Sequence, residues 1–372
     1  MKKARLSILS YRILLTGGIA FSLLFLISCF SSAIDPTVIY GATYFALGFP
    51  VFFTAMIIWC IIALYLFPKK GWIFLLLLLP AEKNIRTGFG FGSKKAFNYT
   101  KPNDHLRILS WNVNEFIHGR SSDINWKNKQ DQMVQFIKQS DADVLCFQDF
   151  VPVPYTTNGT LIDYITDSLK YPYHFFSRDG GYHGTIIFSR SPITETGRVK
   201  YKEKAYPESL AYATITFRGK QMRVYNTHLQ SMYLHKSVIS AGNTRNLQYV
   251  KEDTGFLFHS TRIERLEYFD RIHTSQARTI KATMNESRVP YIFCADLNAV
   301  PASYVYGMLQ KNLKDAFIEQ GSGLGGTYLS SIPTLRIDVL LTSKQFNTSQ
   351  YYSPALKLSD HYPILADLNL GN

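Results

Sequence analysis

The chain has 372 residues, is 46% hydrophobic and 15% aromatic, and carries a formal charge of +13; so apolar a composition excludes an intrinsically disordered chain. The charge is uneven: residues 1–102 hold 11 Lys/Arg against 2 Asp/Glu, and the other 270 hold 29 against 25, so charge alone gives no argument for nucleic acid as the partner of the larger part. The four cysteines, Cys29, Cys60, Cys146 and Cys294, form no C-x-x-C pair, which argues against a thiolate zinc site and a disulfide framework and leaves free buried thiols as the expectation.

Ile13 to Ile34 holds no charged residue. At about 1.5 Å per residue it can cross an apolar layer about 30 Å thick. Val38 to Phe67 is also uncharged, and a third run, Gly71 to Ala81, is very apolar but short. Lys2, Lys3, Arg5 and Arg12 precede the first run, the connection to the second has no Lys or Arg, and Lys69-Lys70 follow the second. The bias of basic residues toward the cytoplasm places both the N-terminus and the Lys69-Lys70 turn inside. Three crossings then put the rest of the chain outside the cytoplasm; two would leave it inside. Leu26-Ile27-Ser28-Cys29 resembles a bacterial lipobox, which offers a cleaved signal as the competing reading. The second uncharged run, which cleavage would leave in place, favours a multi-pass anchor in a bacterial inner membrane. Residues 1–81 are expected as a transmembrane anchor of two or three helices, 82–103 as a polar linker, and 104–372 as one domain.

From Leu106 short apolar runs bounded by turn residues take over. Leu106–Trp111, Val144–Phe147, Thr185–Phe188, Tyr212–Phe217, Arg223–Tyr225, Tyr291–Cys294, Ile337–Leu341 and Ile364–Leu368 are expected as strands. Helices are expected from near Trp126, with Met133, Phe136 and Ile137 on one face, and from about Ile263 to Met284. Such a mix predicts two sheets packed face to face with helices outside.

Polar residues gather where these strands end. The endings are Asn112-Val113-Asn114, Gln148-Asp149, Asn226-Thr227-His228, Asp296-Leu297-Asn298, Arg336-Ile337-Asp338 and Ser359-Asp360-His361. A lone Asn or Asp there is ordinarily a turn cap. Six such endings in one chain point instead to an oxygen-rich cleft with two histidines. Carboxylates and amides without a thiol cluster favour a hard cation, Mg²⁺ or Mn²⁺. Histidines beside it suit a phosphoryl oxyanion or a proton transfer.

In this order the segments resemble the endonuclease/exonuclease/phosphatase superfamily, over about residues 104–371. Gly184 to Ile193 is similar to its middle strand. Asn226-Thr227-His228-Leu229, Asp296-Leu297-Asn298 and Ser359-Asp360-His361-Tyr362-Pro363 are the most specific marks. The resemblance implies a four-layer α/β sandwich, two packed mixed sheets flanked by helices, and a metal-dependent hydrolase of phosphoric esters. It implies metal ligation by Asn112, Asp149 and Asp360, with Asn114 nearby. Asp296 would orient or deprotonate the attacking water, and Asn298 would hold the phosphate or that water. His361, oriented by Asp338, would stabilise the transition state, and His228 would bind the phosphate from the other side. One departure stands out: Asp149 occupies a place where the family usually has Glu. That shortening supports the alternative of a silent phosphate-binding module. The expected partners are a phosphate-ester substrate, either nucleic acid or a phospholipid headgroup, and a lipid bilayer, with no obligate protein partner. The segment His235 to His259, with Lys236, Arg245, Lys251, Tyr249, Phe256 and Phe258, is the expected substrate-selecting loop; Tyr182 and His183 are offered as cleft-lining residues.

Overall fold

The computed structural model describes residues 8–92, 96–117, 125–179, 182–202, 208–232, 261–330 and 334–371. The eight runs expected as strands all form strands. They lie in two six-stranded sheets. The first sheet contains β1 (Leu106–Asn112), β2 (Val144–Phe150), β3 (Tyr173–Phe176), β4 (Gly184–Ser189), β11 (Phe346–Tyr352) and β12 (Ile364–Leu370), in the order β11-β12-β1-β2-β4-β3. The second contains β5 (Ile193–Lys200), β6 (Ser209–Phe217), β7 (Lys220–His228), β8 (Tyr291–Asp296), β9 (Lys314–Asp315) and β10 (Asp338–Thr342), in the order β9-β10-β8-β7-β6-β5. In each sheet one central pair is parallel, β1 with β2 and β7 with β8, and the remaining pairs are antiparallel.

Residue alternation explains the layers. In β1, Leu106 and Ile108 share a face with Val144 and Ile187 of the same sheet and meet Val224, Ile292 and Leu340 of the second. Leu109 and Trp111 face the other way and pack with Met133 and Ile137 of helix α4 (Trp126–Ser140). On the far side Tyr225 and Phe293 pack with Ala277, Ile280 and Met284 of helix α5 (Arg262–Asn285). Burying one such large side chain is worth about 1.5–3 kcal/mol, against about 1 kcal/mol net for a hydrogen bond, so these apolar layers set the assembly. All four cysteines are free and buried.

Four of the twelve sheet strands escaped the periodicity, β9 because it has only two residues, and so did short helices such as the one that follows Ser303. β5 (ITETGRVK) is a largely exposed edge strand with no apolar face to betray it. β3 is a partly exposed edge strand of four residues. β11 carries a bulge between Thr348 and Gln350 that breaks its alternation. Helix α6 (Tyr304–Gln310) has only seven residues, too few for a periodic signal.

The N-terminal part differs from expectation in two ways. Helices α1 (Ile8–Cys29) and α2 (Ala42–Leu66) are long and apolar enough to cross a membrane. The third run is not one helix: a four-residue helix, Ile73–Leu76, is followed by a short turn, Leu79–Ala81, and Pro80 with the chain's bend at Gly71 prevents a continuous helix. Secondly, the stretch expected as a linker is built into the domain. It carries helix α3 (Glu82–Gly88), and Gly90-Phe91 pair with Ser322-Gly323. The buried Arg107 guanidinium binds Asp367 at 2.6 and 2.8 Å and also donates to the Asn98 and Tyr99 carbonyls. The buried Arg336 does the same between Asp315 (2.8 Å) and the Thr87 carbonyl (2.7 Å). A guanidinium has enough donors to satisfy both a carboxylate and a passing backbone, and these two fasten the preceding segment to the sandwich.

Candidate active site

A parallel pair brings two carboxyl ends to the same edge of a sheet, the usual place for a site in α/β folds. Here both sheets do so. Asn112 lies opposite Gln148 at the end of β1 and β2, and His228 opposite Asp296 at the end of β7 and β8. β10 runs antiparallel to β8 and starts at the same edge, so Asp338 pairs with Asp296. Gln148 and Asn226 join the sheets beneath this edge: the Gln148 amide donates to Asn226 Oδ1 at 2.7 Å, and the Asn226 amide donates to the Phe147 and Ile186 carbonyls at 3.0 Å.

Asp296 is the hub. It is fully buried. Its Oδ2 accepts from Asn112 Nδ2 at 2.9 Å and lies 3.4 Å from His228 Nε2 and 3.5 Å from His361 Nε2. Its Oδ1 accepts from the Asn298 backbone N–H at 2.9 Å. Asn298, in a left-handed conformation (φ 47°), turns its amide to within 3.2 Å of His228 Nε2 and donates to the Leu229 carbonyl at 2.9 Å. Five of the expected residues (His228, Asp296, Asn298, Asp338 and His361) are therefore in one cluster.

Asp338 lies 2.9 Å from His361 Nδ1. Burial disfavours a charged imidazole, but the Asp338 and Asp296 carboxylates on its two nitrogens outweigh that and push its pKa up to about 10. Burial also pushes Asp338 toward its neutral acid. The proton has a better home on the imidazole, which faces two carboxylates, so the pair is Asp338 carboxylate and His361 imidazolium. Thr327 Oγ1 accepts from the Asp338 backbone N–H (3.0 Å), Trp111 donates to the His361 carbonyl (2.9 Å), and the Tyr328 ring stands edge-on to the imidazole at 5.0 Å. Behind them His273 of α5 is fully buried against the Gln230 carbonyl (2.6 Å). Burial pulls its pKa down to about 4, so it is a neutral packing residue.

Carboxylate and imidazole atoms converge in two groups among the described residues: Asp296, Asp338 and His361; and Glu115, Asp149 and His183. The first is the buried hydrogen-bonded hub just described, with the His361 imidazole between its two carboxylates. The second is partly exposed and fits a cation: three hard or borderline donors lie within 4.8 Å of one another. Asp360, expected as a ligand, belongs to neither group. Its Oδ1 accepts from Ser359 Oγ at 3.2 Å and its carbonyl from Leu329 N at 2.7 Å. Asn112, also expected as a ligand, has its amide on Asp296 and its Oδ1 on the Asn114 N–H at 3.0 Å.

Two acidic residues here were not foreseen. Glu115 follows Asn114 directly, and only its adjacency to the Asn-x-Asn ending signalled it. Glu208 precedes β6, outside any motif. Its burial pushes its pKa up to about 7, and the charges of His228 and Asp149 both act on it. The expected selecting loop, His235 to His259, and the glycines Gly180 and Gly181 lie outside the described residues.

Comparison with known proteins agrees with this geometry. A sequence profile described as "Endonuclease/Exonuclease/phosphatase family" matches residues 109–361, and a domain of unknown function, DUF8431, matches residues 11–87. No curated protein matches the sequence. Among solved structures, an endonuclease/exonuclease/phosphatase from Bacteroides vulgatus is 19% identical, with a TM-score of 0.52 over 72% of this chain and 99% of that one. The human Nocturnin catalytic domain with bound sulfate anion is 17% identical, with a TM-score of 0.51 over 71% and 93%. D. rerio TDP2 complexed with single strand DNA product is 18% identical, with a TM-score of 0.50 over 71% and 99%. At these identities the likeness is one of fold.

Proposed function

The chain belongs to the endonuclease/exonuclease/phosphatase family, and from that premise we propose that it is a metal-dependent phosphoesterase working at a membrane surface. The observation that carries this reading is the Asp296 hub, with a histidine Nε2 on either side of one carboxylate oxygen. Phosphoester hydrolysis needs three things: a group to take the proton of the attacking water, cationic donors for the equatorial oxygens, and a positioned phosphorus. Asp296 serves as the proton acceptor, with Asn112 and the Asn298 N–H fixing its two oxygens. His361, kept cationic by Asp338, and His228 with Asn298 hold the phosphoryl oxygens. A bound divalent cation would add charge neutralisation on the phosphate; Asp149 is the residue both the resemblance and the geometry offer for it.

What the site's loops touch supports one substrate class over the other. Ser31, in the turn between α1 and α2, donates to the Ala302 carbonyl at 2.7 Å, four residues beyond Asn298. Val300, Ala302 and Ile337 pack in one cluster with Phe25 and Cys29 of α1, and Tyr328 and Leu335 rest against it. The loops that carry Asn298, Asp338 and the ring on His361 are thus seated on the tip of the apolar hairpin. This favours a phosphate ester presented in the plane of a bilayer, such as a phospholipid headgroup, over free nucleic acid. The test is hydrolysis by the full chain in lipid nanodiscs, offered phospholipid, DNA, RNA and a chromogenic phosphodiester with Mg²⁺ or Mn²⁺. Metal-dependent turnover is expected, highest on lipid and at least about 10²-fold lower in His228→Ala. A folded protein that hydrolyses none of them would sink the reading.

The same packing supports a reading of sidedness. The α1–α2 turn, with the first residues of α2, docks on α5: Arg278 pairs with Asp35 (2.5 Å), Thr43 hydrogen-bonds Asp270, and the Tyr44 hydroxyl donates to the Ile263 carbonyl (3.0 Å). It also docks on α6, where Gly307 lets the Ser32 carbonyl approach so closely that a Cβ would meet it at 2.9 Å. The broken third run passes back beside the helices, from Phe74 against Trp59 to Asn84 against the Ser28 carbonyl. The match of residues 11–87 to one domain family groups this return leg with the helices. The catalytic domain and the Lys/Arg-free turn are therefore at one end, and Arg12, Lys69 and Lys70 at the other. We infer that the basic end is cytoplasmic and the domain extracytoplasmic, although the third leg is no single helix. Alkaline phosphatase fused after Asn372 is expected to be active, and a cytoplasm-dependent reporter there dark; the reverse pattern would place the domain inside.

A further inference from the structure

We propose that Cys146 and Cys294 close into a disulfide that ties the two sheets together directly beneath the Asp296 hub. The two residues sit on β2 of the first sheet and β8 of the second. Residue alternation aims both into the layer between the sheets. Cys146 shares its face with Val144 and Gln148, and Cys294 with Ile292 and Asp296. Both are 0% exposed and belong to one core cluster. Cys146 therefore lies one step below Gln148, and Cys294 one step below Asp296 and beside Asn226, its cross-strand partner in β7.

The sheets come close together at this point. Packed sheets ordinarily stand about 10 Å apart. Here the Gln148 amide reaches Asn226 Oδ1 at 2.7 Å, and the Asn226 amide donates to the Phe147 main-chain carbonyl at 3.0 Å. A side chain as short as asparagine can bond the facing backbone only where the gap is narrower than usual. Phe147 is the residue after Cys146, and Asn226 is the neighbour of Cys294, so the narrow place is where the two thiols are. They meet there as hydrogen-bonded neighbours. Rotation about the two Cα–Cβ bonds takes the pair from thiol contact toward the bond length of about 2.05 Å that a disulfide needs.

The structure holds the pair as free thiols. Closure removes two protons and two electrons, and the acceptor is a second disulfide, of the class carried by thiol–disulfide oxidoreductases, which leaves as two thiols. One cysteine thiolate attacks that disulfide to give a mixed disulfide, and the other displaces the foreign sulfur. Burial holds the Cys146 thiol well above the usual thiol range, and neither sulfur is reached from solvent in the folded domain. The exchange therefore belongs to the folding chain, and the finished bond is shielded from reductants. Such oxidants act outside the cytoplasm, while the cytoplasm keeps thiols reduced. That the bond forms in the cell rests on the extracytoplasmic reading; that the pair can close does not. The bond has a use in the site. Asn112 and Asp149 come from the first sheet and His228, Asp296 and Asp338 from the second, so a covalent tie one step below fixes the two halves relative to each other. It also encloses β3 to β7 and α5 in one long loop, which restricts the unfolded chain.

The test uses the full chain in two preparations: synthesised cell-free into nanodiscs with oxidised or with reduced glutathione, and isolated from bacterial membranes with its thiols blocked at lysis. Thiols are alkylated in denaturant and read by intact mass and peptide mapping. Synthesis with oxidised glutathione should leave only Cys29 and Cys60 open to alkylation and yield a peptide linked through Cys146 and Cys294; reduced glutathione should leave all four cysteines open. The oxidised form should unfold about 5–15 °C higher, a gain absent from Cys146→Ala and Cys294→Ala. The chain blocked at lysis should already carry the bond. Four open thiols after oxidising synthesis, glutathione adducts in place of the linked peptide, or a link through any other pair would each overturn the proposal. A pair that closes in nanodiscs but leaves the membrane reduced would let the bond stand and the extracytoplasmic reading fall.

Discussion

Asp296→Asn is expected to lower kcat by about 10³–10⁴-fold while the protein stays folded. The substitution keeps shape and volume, and the Asn298 N–H can still donate to the remaining oxygen, so the β8 ending holds its turn. What changes is the polarity at Oδ2. That atom faces Asn112 Nδ2, His228 Nε2 and His361 Nε2. An amide nitrogen placed there meets donors with a donor and can take no proton from water. The loss should fall on kcat more than on KM, because the phosphate contacts of His228, Asn298 and the cation are untouched. The measurement is steady-state turnover on the preferred ester, alongside the thermal midpoint. A kcat within tenfold of wild type would reduce Asp296 to a scaffold for the two histidines.

Much of this was legible in the sequence, for identifiable reasons. Apolar runs such as Tyr291–Cys294 are buried on both faces between a sheet and helices, so their strands announce themselves. The site was legible because strand endings are local: Asn112, His228, Asp296 and His361 each sit at or just beyond an apolar run, and parallel pairing needs no further information to bring such ends together. What failed was non-local or against propensity. Nothing in Asn114-Glu115-Phe116-Ile117 announces four left-handed residues, because Phe and Ile rarely adopt them; burial of Phe116 and Ile117 and the Asn114 N–H on Asn112 Oδ1 hold the turn. Glu208 acquires its environment from Asp149 and His228, which are distant in sequence. Residues 82–103 read as a linker because Arg107 and Arg336, which fasten them, lie outside that stretch. The third apolar run stayed open as a third span because composition records hydrophobicity and not continuity; Pro80 was the available warning.

Asp338→Asn gives the second large effect, and it is one of pH. In the wild type the two carboxylates on His361 keep its pKa near 10, so turnover that needs the imidazolium should hold through neutral pH and fall as pH rises through about 10. Asparagine removes the nearer carboxylate, at 2.9 Å. Burial, which opposes the charge, is then countered mainly by Asp296, and the alkaline limb should move down toward neutrality. At pH 7.5 kcat should drop by about 10²-fold, and part of the loss should return as the pH is lowered. Stability should follow the same group. A folded-state pKa above the unfolded value of about 6.5 stabilises the fold fully below that value, and the stabilisation is lost as pH rises toward 10. The wild-type thermal midpoint should therefore fall between pH 7 and 10 more than that of Asp338→Asn, whose imidazole is already nearer neutral. A merely structural Asp338 would lower the midpoint at every pH and leave the rate profile in place. An alkaline limb that does not move in the variant would remove the imidazolium from the mechanism and leave phosphate charge to His228, Asn298 and the cation.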